Sequence, residues 1–299
     1  MCGKVNKQLE EKSKMNIEIT NNLNEPGEVV LPTNYPIATS FPYLTHILAI
    51  IQDIPNSITW YINHMIQLQI NYDETFSSSN LSITFGDQIN AFIKCPFIKT
   101  EILDKTFLRR NNISIYDFIV DCINNNKYIC MPLDWFYLSC STHYQKAHIE
   151  HEVLIYGYDK NSHDIYVADF FQDGTYSFCQ CKLKELIYAY DYEQNKSCLL
   201  EDNIYIMKKI EEIYSFNINI AYDILNDYYY GLNSNYRFLP ITRYMDFLSE
   251  DSFRFGLNVY SILIDYINFS YKNEKELTTR SFHVLYAHKI IIKKLIYNL

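Results

Sequence analysis

The residues best suited to chemistry lie in one stretch, where a histidine and an aspartate flank a hairpin pattern. His151 opens a run of β-forming residues, 153–158, and Asp169 follows a second run, 165–167. Polar residues 160–164 between the runs are typical of a hairpin loop. A histidine oriented by a carboxylate is the base of a catalytic triad, because the carboxylate fixes the tautomer. The plainer alternative is a surface histidine and an aspartate in a turn.

The strand register predicts that His151 and Asp169 share one face of the hairpin. A five-residue loop over residues 160–164 pairs Asp159 with Ile165 and sets Asp169 opposite Ile155. Since side chains alternate with a period of two, Ile155 shares its face with His151. A small bulge would then bring His151 and Asp169 together.

The hairpin resembles a motif of papain-fold proteins. Its sequence is His-x-Val-Leu-Ile-Tyr-Gly-Tyr-Asp from His151, a short loop, and Ile-Tyr-Val-Ala-Asp ending at Asp169. It is similar to the bacteriocin-processing cysteine peptidases. It is closer to the N-terminal domain of the butirosin-pathway acyltransferase and to related bacterial proteins of natural-product biosynthesis, over about residues 31–190. The resemblance implies an α+β fold, a helix packed on an antiparallel sheet, with His151 as base and Asp169 as orienter.

The family places its nucleophilic cysteine at the foot of the central helix, and this sequence has none there. Pro42 suits a first helical turn, and apolar residues follow at helical spacing: Leu44, Ile47, Leu48 and Ile51. The residues before this helix include two hydroxyls, Thr39 and Ser40. Asn34, six residues before Ser40, lies where the resemblance implies an amide donor for an oxyanion hole.

Three interpretations of the missing cysteine stay open. Ser40 or Thr39 acts as a hydroxyl nucleophile, with Ser40 the less hindered of the two. Alternatively, the protein is catalytically silent and binds a partner. In the third interpretation, Cys95 or Cys140 supplies the thiol. The corresponding structural roles are helix capping for the hydroxyls and burial as small hydrophobic residues for the cysteines.

Composition excludes several classes of function. The net charge of -9 disfavours nucleic acid and a basic membrane-binding face. With 7 glycines there is no phosphate-binding glycine motif. The polar N-terminal stretch lacks the apolar run of a signal peptide, so we expect a cytoplasmic protein with reduced cysteines.

The chain divides into three predicted parts. Residues 1–28 are expected to be a poorly ordered leader, residues 29–207 a papain-like α+β domain, and residues 208–299 a helical region. Residues 99–110 are expected to be helical. Residues 128–137 are expected to form a buried strand.

These observations and the resemblance together predict an acyltransferase or amide-forming enzyme. An acyl or peptidyl carrier protein would supply a thioester, and a small-molecule or peptide amine would accept the acyl group. A peptidase-like hydrolase is the related alternative. No metal or organic cofactor is expected, because the spacing of the candidate cluster Cys140, His143, His148 and His151 fits no standard zinc pattern. Arg280 and His283, with His288, form another possible functional patch. The plainer interpretation is that His283 and Lys289 are exposed or favour the helix dipole.

Overall fold

The hairpin of His151 and Asp169 lies in the middle of a large antiparallel sheet. The computed structural model describes residues 26–73, 76, 81–85, 91–192, 203–234 and 253–298. Within these ranges the strands are β1 (Glu28–Val30), β2 (Leu68–Asn71), β3 (Ser82–Phe85), β4 (Ile98–Asp104), β5 (Lys127–Asp134), β6 (Glu150–Asp159), β7 (Asp164–Gln172), β8 (Thr175–Lys182), β9 (Asn203–Lys209) and β10 (Phe253–Phe255).

The helices accompany both halves of the described chain. They are α1 (Pro42–Ile51), α2 (Ser57–His64), α3 (Ala91–Lys94), α4 (Lys105–Arg110), α5 (Ile115–Asn124), α6 (Leu183–Asp191), α7 (Ile218–Tyr230), α8 (Asn258–Lys272) and α9 (Thr279–Asn298), with a short 3₁₀ turn at Trp135–Tyr137. The protein is therefore α+β, as the sequence predicts.

The large sheet has the strand order β4-β9-β5-β6-β7-β8, and β1 pairs with the end of β6 beyond the part that β5 covers. All its pairings are antiparallel. The three central strands are apolar and almost wholly buried. Helix α1 packs against β6 and β7, and α5 packs against β5 and β6. The core thus packs the hairpin against α1.

Two local predictions are wrong in part. Residues 99–110 were expected to be helical, but Ile98–Asp104 pairs with β9 as a strand and only Lys105–Arg110 is helical. The ladder with β9 outweighs a weak local helix preference. The strand predicted over residues 128–137 ends at Asp134, whose side chain accepts the backbone N–H of Phe136 and starts the 3₁₀ turn.

The ends of the chain also differ from expectation. Residues 1–25 of the predicted leader lie outside the described residues, whereas Glu28 belongs to β1 and pairs with Asp159. The C-terminal part is mostly helical, in α7, α8 and α9. It also contributes β10, which pairs with β2 in a three-stranded sheet, β10-β2-β3. The division at residue 207 stays a prediction. None of the described helices combines the length and the apolar character that a membrane span requires.

Candidate functional site

The hairpin turns more tightly than the sequence suggests, and this brings the histidine and aspartate together. Asp159 pairs with Asp164, so the loop has four residues where five were expected. A bulge between Ile155 and Gly157 shifts the register by one more residue, so that Ile155 pairs with Val167. If this register is continued, Asp169 lies opposite Val153, two residues from His151 and on the same face.

His151 and Asp169 form a hydrogen-bonded pair. His151 Nδ1 lies 2.7 Å from Asp169 Oδ2. The carboxylate is fully buried, and the histidine side chain keeps 24% of its surface exposed. Because Nδ1–H donates to the carboxylate, Nε2 is the basic nitrogen of the neutral ring. Among the described residues Nε2 has no hydrogen-bond partner, so it is available to a substrate proton.

Trp135 holds this pair in place, although the sequence suggested only a core residue. Its indole Nε1–H donates to Asp169 Oδ2 at 3.2 Å, and its ring centroid lies 4.4 Å from that of His151. The backbone N–H of Phe170 donates to Asp169 Oδ1 at 2.8 Å. The buried carboxylate therefore accepts three hydrogen bonds, which fixes its orientation.

A second buried histidine connects α1 to the hairpin. His46 Nε2–H donates to the carbonyl of Glu152 at 3.0 Å, and Tyr176 O–H donates to Nδ1 at 3.0 Å. Burial lowers the pKa of His46, so its ring is neutral at pH 7. In the sequence this residue is visible only as a polar position inside an apolar helix.

Helix α1 begins at Pro42, as predicted, and its first residues share a cavity with His151. The cavity measures about 840 Å³, and its walls include Ser40, Pro42, His151 and Tyr176. Tyr43, in the first turn, donates its hydroxyl to Glu152 Oε1 at 2.9 Å. The foot of the helix and His151 thus line one cavity.

The two candidate hydroxyls occupy different surroundings. Thr39 Oγ1 lies 3.3 Å from His283 Nε2 of helix α9. Ser40 Oγ is buried and, within the described part of the chain, has no hydrogen-bond partner. Ser40 is also not the helix cap, since Phe41 occupies that position and no side chain caps the helix. Instead, the backbone N–H of Ser40 donates to Thr45 Oγ1 at 3.2 Å.

The other predicted site residues lie elsewhere. The backbone N–H of Asn34 donates to the carbonyl of Ala49, seven residues into α1 and roughly 10 Å along its axis from Pro42. Asn34 does not line the cavity, although its neighbour Tyr35 does. Gln52 bonds to the backbone of residues 35 and 37 and holds this segment beside the end of the helix. The structure therefore does not bring the proposed amide donor to the site.

Neither candidate cysteine lines the cavity. Burial raises the pKa of Cys95 to about 12, which leaves its thiol protonated at neutral pH. Cys140 lies beside Gln172, and a hydrogen bond with Cys179 raises the pKa of Cys140. Both observations disfavour a thiol nucleophile.

Charges around His151 set its basicity. Burial alone lowers the pKa of His151, but the charge and hydrogen bond of Asp169, with the charge of Glu152, raise it above the ordinary value. Glu150, on the cavity wall, lies 3.5 Å from Lys105 Nζ. Most of the negative charge near the base is therefore already matched by donors or cations.

Helix α9 completes the wall with Thr279, Arg280 and His283. The sequence indicated the last two only as members of a possible patch, with exposure as the plainer interpretation for His283. In the described ranges no three side chains among histidine, cysteine, aspartate and glutamate are placed to share a metal ion. His148, from the candidate metal set, instead pairs with Asp134 at 2.6 Å.

The chain offers a buried carboxylate, an oriented imidazole and a hydroxyl-bearing helix foot around one cavity. This arrangement can abstract a proton from a hydroxyl, an amine or water. Comparison with models of known protein families gives no match, and comparison with curated proteins gives none either.

Proposed function

We propose that the protein transfers acyl groups at this cavity, with Ser40 as nucleophile, His151 as base and Asp169 as orienter. The observation that carries the proposal is the 2.7 Å bond between His151 and Asp169 on a wall shared with the helix foot. The resemblance of the hairpin to the papain fold supports a thioester as donor. An acyl or peptidyl carrier protein would present it, in natural-product biosynthesis.

The reaction proceeds in two stages. Ser40 Oγ attacks the thioester carbonyl while His151 Nε2 takes the hydroxyl proton; the tetrahedral adduct then expels the thiol, which recovers that proton. An amine next attacks the serine ester with His151 as base, giving an amide and restoring Ser40. Water in place of the amine gives hydrolysis, the peptidase-like alternative.

The environment of Ser40 supports its role as nucleophile. A buried hydroxyl without a partner in the described structure costs about 1–3 kcal/mol, so its presence calls for an explanation; Ser57 Oγ shares this cost, but of the two only Ser40 lines the cavity. Helix capping is not that explanation, because Phe41 is the cap residue. Because Ser40 Oγ is buried, attack on a bound carbonyl requires this side chain to turn towards the cavity by a change of its χ1 rotamer.

A second candidate function is non-catalytic binding of a partner in the same cavity. It is favoured by one observation: Ser40 Oγ forms no hydrogen bond with His151 in the described structure. In this account the cavity holds a ligand, and His151 contributes a hydrogen bond only.

Intact-mass spectrometry separates the two functions. The protein is incubated with a fluorophosphonate, which labels activated serine hydroxyls, and with short-chain acyl thioesters. The proposal expects an adduct that is lost in Ser40→Ala and in His151→Ala. Ser57→Ala is the matched control, because Ser57 Oγ is also buried without a partner and lies outside the cavity.

If the adduct persists in Ser40→Ala but disappears in Thr39→Ala, the nucleophile is Thr39 and not Ser40. If the wild-type protein forms no adduct with either reagent class, the binding function is the better account.

A further inference from the structure

Two basic side chains from the C-terminal helix project onto the cavity of His151. Arg280 and His283 are three residues apart in α9 and so lie on one face of the helix. Both line the cavity, and both are exposed at its rim. A helix far from the hairpin in sequence therefore supplies part of this wall.

Each side chain is positioned by a contact with the foot of α1. The guanidinium carbon of Arg280 lies 5.6 Å from the ring centroid of Phe41. His283 Nε2 lies 3.3 Å from Thr39 Oγ1. Burial lowers the pKa of His151 and Asp169 raises it, and the charge of Arg280 adds a smaller lowering to that of burial. The two side chains thus stand close to the base and to the candidate hydroxyls.

Arg280 has no counter-ion among the described residues. Three carboxylates line the same cavity, those of Glu150, Glu152 and Asp173. Glu150 pairs with Lys105, and Glu152 accepts a hydrogen bond from the hydroxyl of Tyr43 in α1. Asp173, in the turn between β7 and β8, has no bonded partner in the part of the chain that the structure describes. The cavity therefore contains a guanidinium whose five donors are unused by any protein anion.

We propose that Arg280 and His283 form an anion-binding subsite at the rim, which holds a carboxylate or phosphate of the ligand while its acyl carbonyl faces His151. The subsite deepens the proposed acyl-transfer function and rests on it for the position of the carbonyl. Guanidinium binds carboxylate and phosphate through paired hydrogen bonds, which makes it selective for these groups. The first turn of α9 carries no acidic side chain that would oppose the anion.

Two sources of the anion share this chemistry. The acyl group itself can carry a carboxylate, or the thiol part of the thioester can carry the phosphate of a phosphopantetheine arm. The ligand pairs for the test separate them. Glutarate is compared with glutaramide, which differs from it in charge but little in shape. Phosphopantetheine is compared with pantetheine, which lacks the phosphate group.

Calorimetric titration measures all four ligands against the wild-type protein, Arg280→Gln, Arg280→Lys and Arg110→Gln. Arg110 is exposed, lies outside the cavity wall and gives the matched loss of one positive charge. We expect at least one charged ligand to bind about tenfold more tightly than its neutral partner, as for a charge-assisted pair. That advantage should disappear in Arg280→Gln, survive in part in Arg280→Lys and persist in Arg110→Gln.

If only glutarate binds more tightly than its neutral partner, the anion that the subsite holds is a carboxylate on the acyl group. If only phosphopantetheine does, the anion is the phosphate. The subsite is overturned if neither charged ligand is preferred, if Arg280→Gln keeps the preference, or if Arg110→Gln loses it equally. These binding data do not depend on turnover. If the protein prefers a charged ligand but forms no acyl adduct, the acyl-transfer function is refuted and the anion-binding subsite is supported. If it forms an acyl adduct but shows no preference for a charged ligand, the subsite is refuted and the acyl-transfer function is supported.

Discussion

Replacing Asp169 by asparagine tests the network at the centre of the site. Asp169 Oδ2 accepts from both His151 and Trp135, and Oδ1 accepts the backbone N–H of Phe170. An asparagine side chain has one oxygen and one NH₂ group. Whichever way the amide is oriented, its NH₂ group faces at least one of these donors.

The expected loss of stability follows from the number of hydrogen bonds that asparagine cannot accept. In the better orientation the amide oxygen keeps His151 and Trp135, and the N–H of Phe170 is left without an acceptor. One buried unsatisfied donor costs about 1–3 kcal/mol, and breaking a buried charged pair costs about 3–5 kcal/mol. Because His151 retains partial exposure, we expect Asp169→Asn to lower the free energy of unfolding by about 3 kcal/mol.

The loss of unfolding free energy in Asp169→Asn should be larger at low pH than at high pH. The folded protein raises the pKa of His151, so the pair with Asp169 contributes stability below the ordinary histidine pKa of about 6.5. That contribution is lost as the pH rises through the raised folded pKa. The difference in unfolding free energy between wild type and Asp169→Asn is therefore larger at about pH 6 than at about pH 9.

Urea unfolding at the two pH values measures both effects. Asp173→Asn is the matched control, because Asp173 lines the same cavity, is exposed and has a positive φ of 49° that asparagine tolerates. It should change stability by no more than about 0.5 kcal/mol. Equal stability of Asp169→Asn and Asp173→Asn, or a difference that does not vary with pH, would refute the role given to the Asp169 network.

Three further predictions use other features of the structure. The rate of labelling by fluorophosphonate should rise with pH through a midpoint above that of an ordinary histidine, and Asp169→Asn should move the midpoint down; an unshifted midpoint would argue against His151 as base. Burial lowers the pKa of His288 to about 4. Because the unfolded chain then binds this proton more readily, the contribution of His288 to the free energy of unfolding is full above about pH 6.5 and should fall by about 3 kcal/mol towards pH 4. Urea unfolding should show a flatter pH dependence in His288→Gln, and an identical slope would contradict this assignment. Gly157→Ala should lower the free energy of unfolding by about 2 kcal/mol, because the new Cβ would lie 2.7 Å from the carbonyl oxygen of Val29. Thermal or urea unfolding measures this change, and a variant as stable as the wild type would show that β1 can move away from the new Cβ with little loss of free energy.

The histidine–aspartate pair was predictable because strand alternation is a local property. An even separation combined with an odd loop puts both residues on one face. The observed loop has four residues, and the bulge restores the parity that this even loop alone would lose. Their close approach was not predictable in detail, since each of those two changes moves Asp169 one residue along β6. Helix α1 was predictable for a similar reason, because Pro42 and its apolar stripe are local signals.

The rest of the site depends on contacts between distant segments. Strand β4 forms because β9 pairs with it, and nothing within residues 98–104 reveals that partner. Arg280 and His283 lie more than a hundred residues beyond the hairpin, and a helix face looks equally polar whether it meets solvent or a cavity. The position of Asn34 was not predictable from its offset to Ser40, because the backbone N–H of Asn34 bonds to the carbonyl of Ala49 in the last turn of α1.

The energetics of the pair favour a chemical role over a structural one. Withdrawing a carboxylate from water costs several kcal/mol, and a buried ion pair recovers this only with good geometry and further hydrogen bonds. Asp169 meets those conditions through Trp135 and Phe170, yet an apolar pair of similar volume would close the same hairpin with equal or greater stability. The network does leave His151 with a fixed ring, a raised pKa and a free Nε2 facing the cavity. A base needs each of these properties, and a structural contact needs none of them.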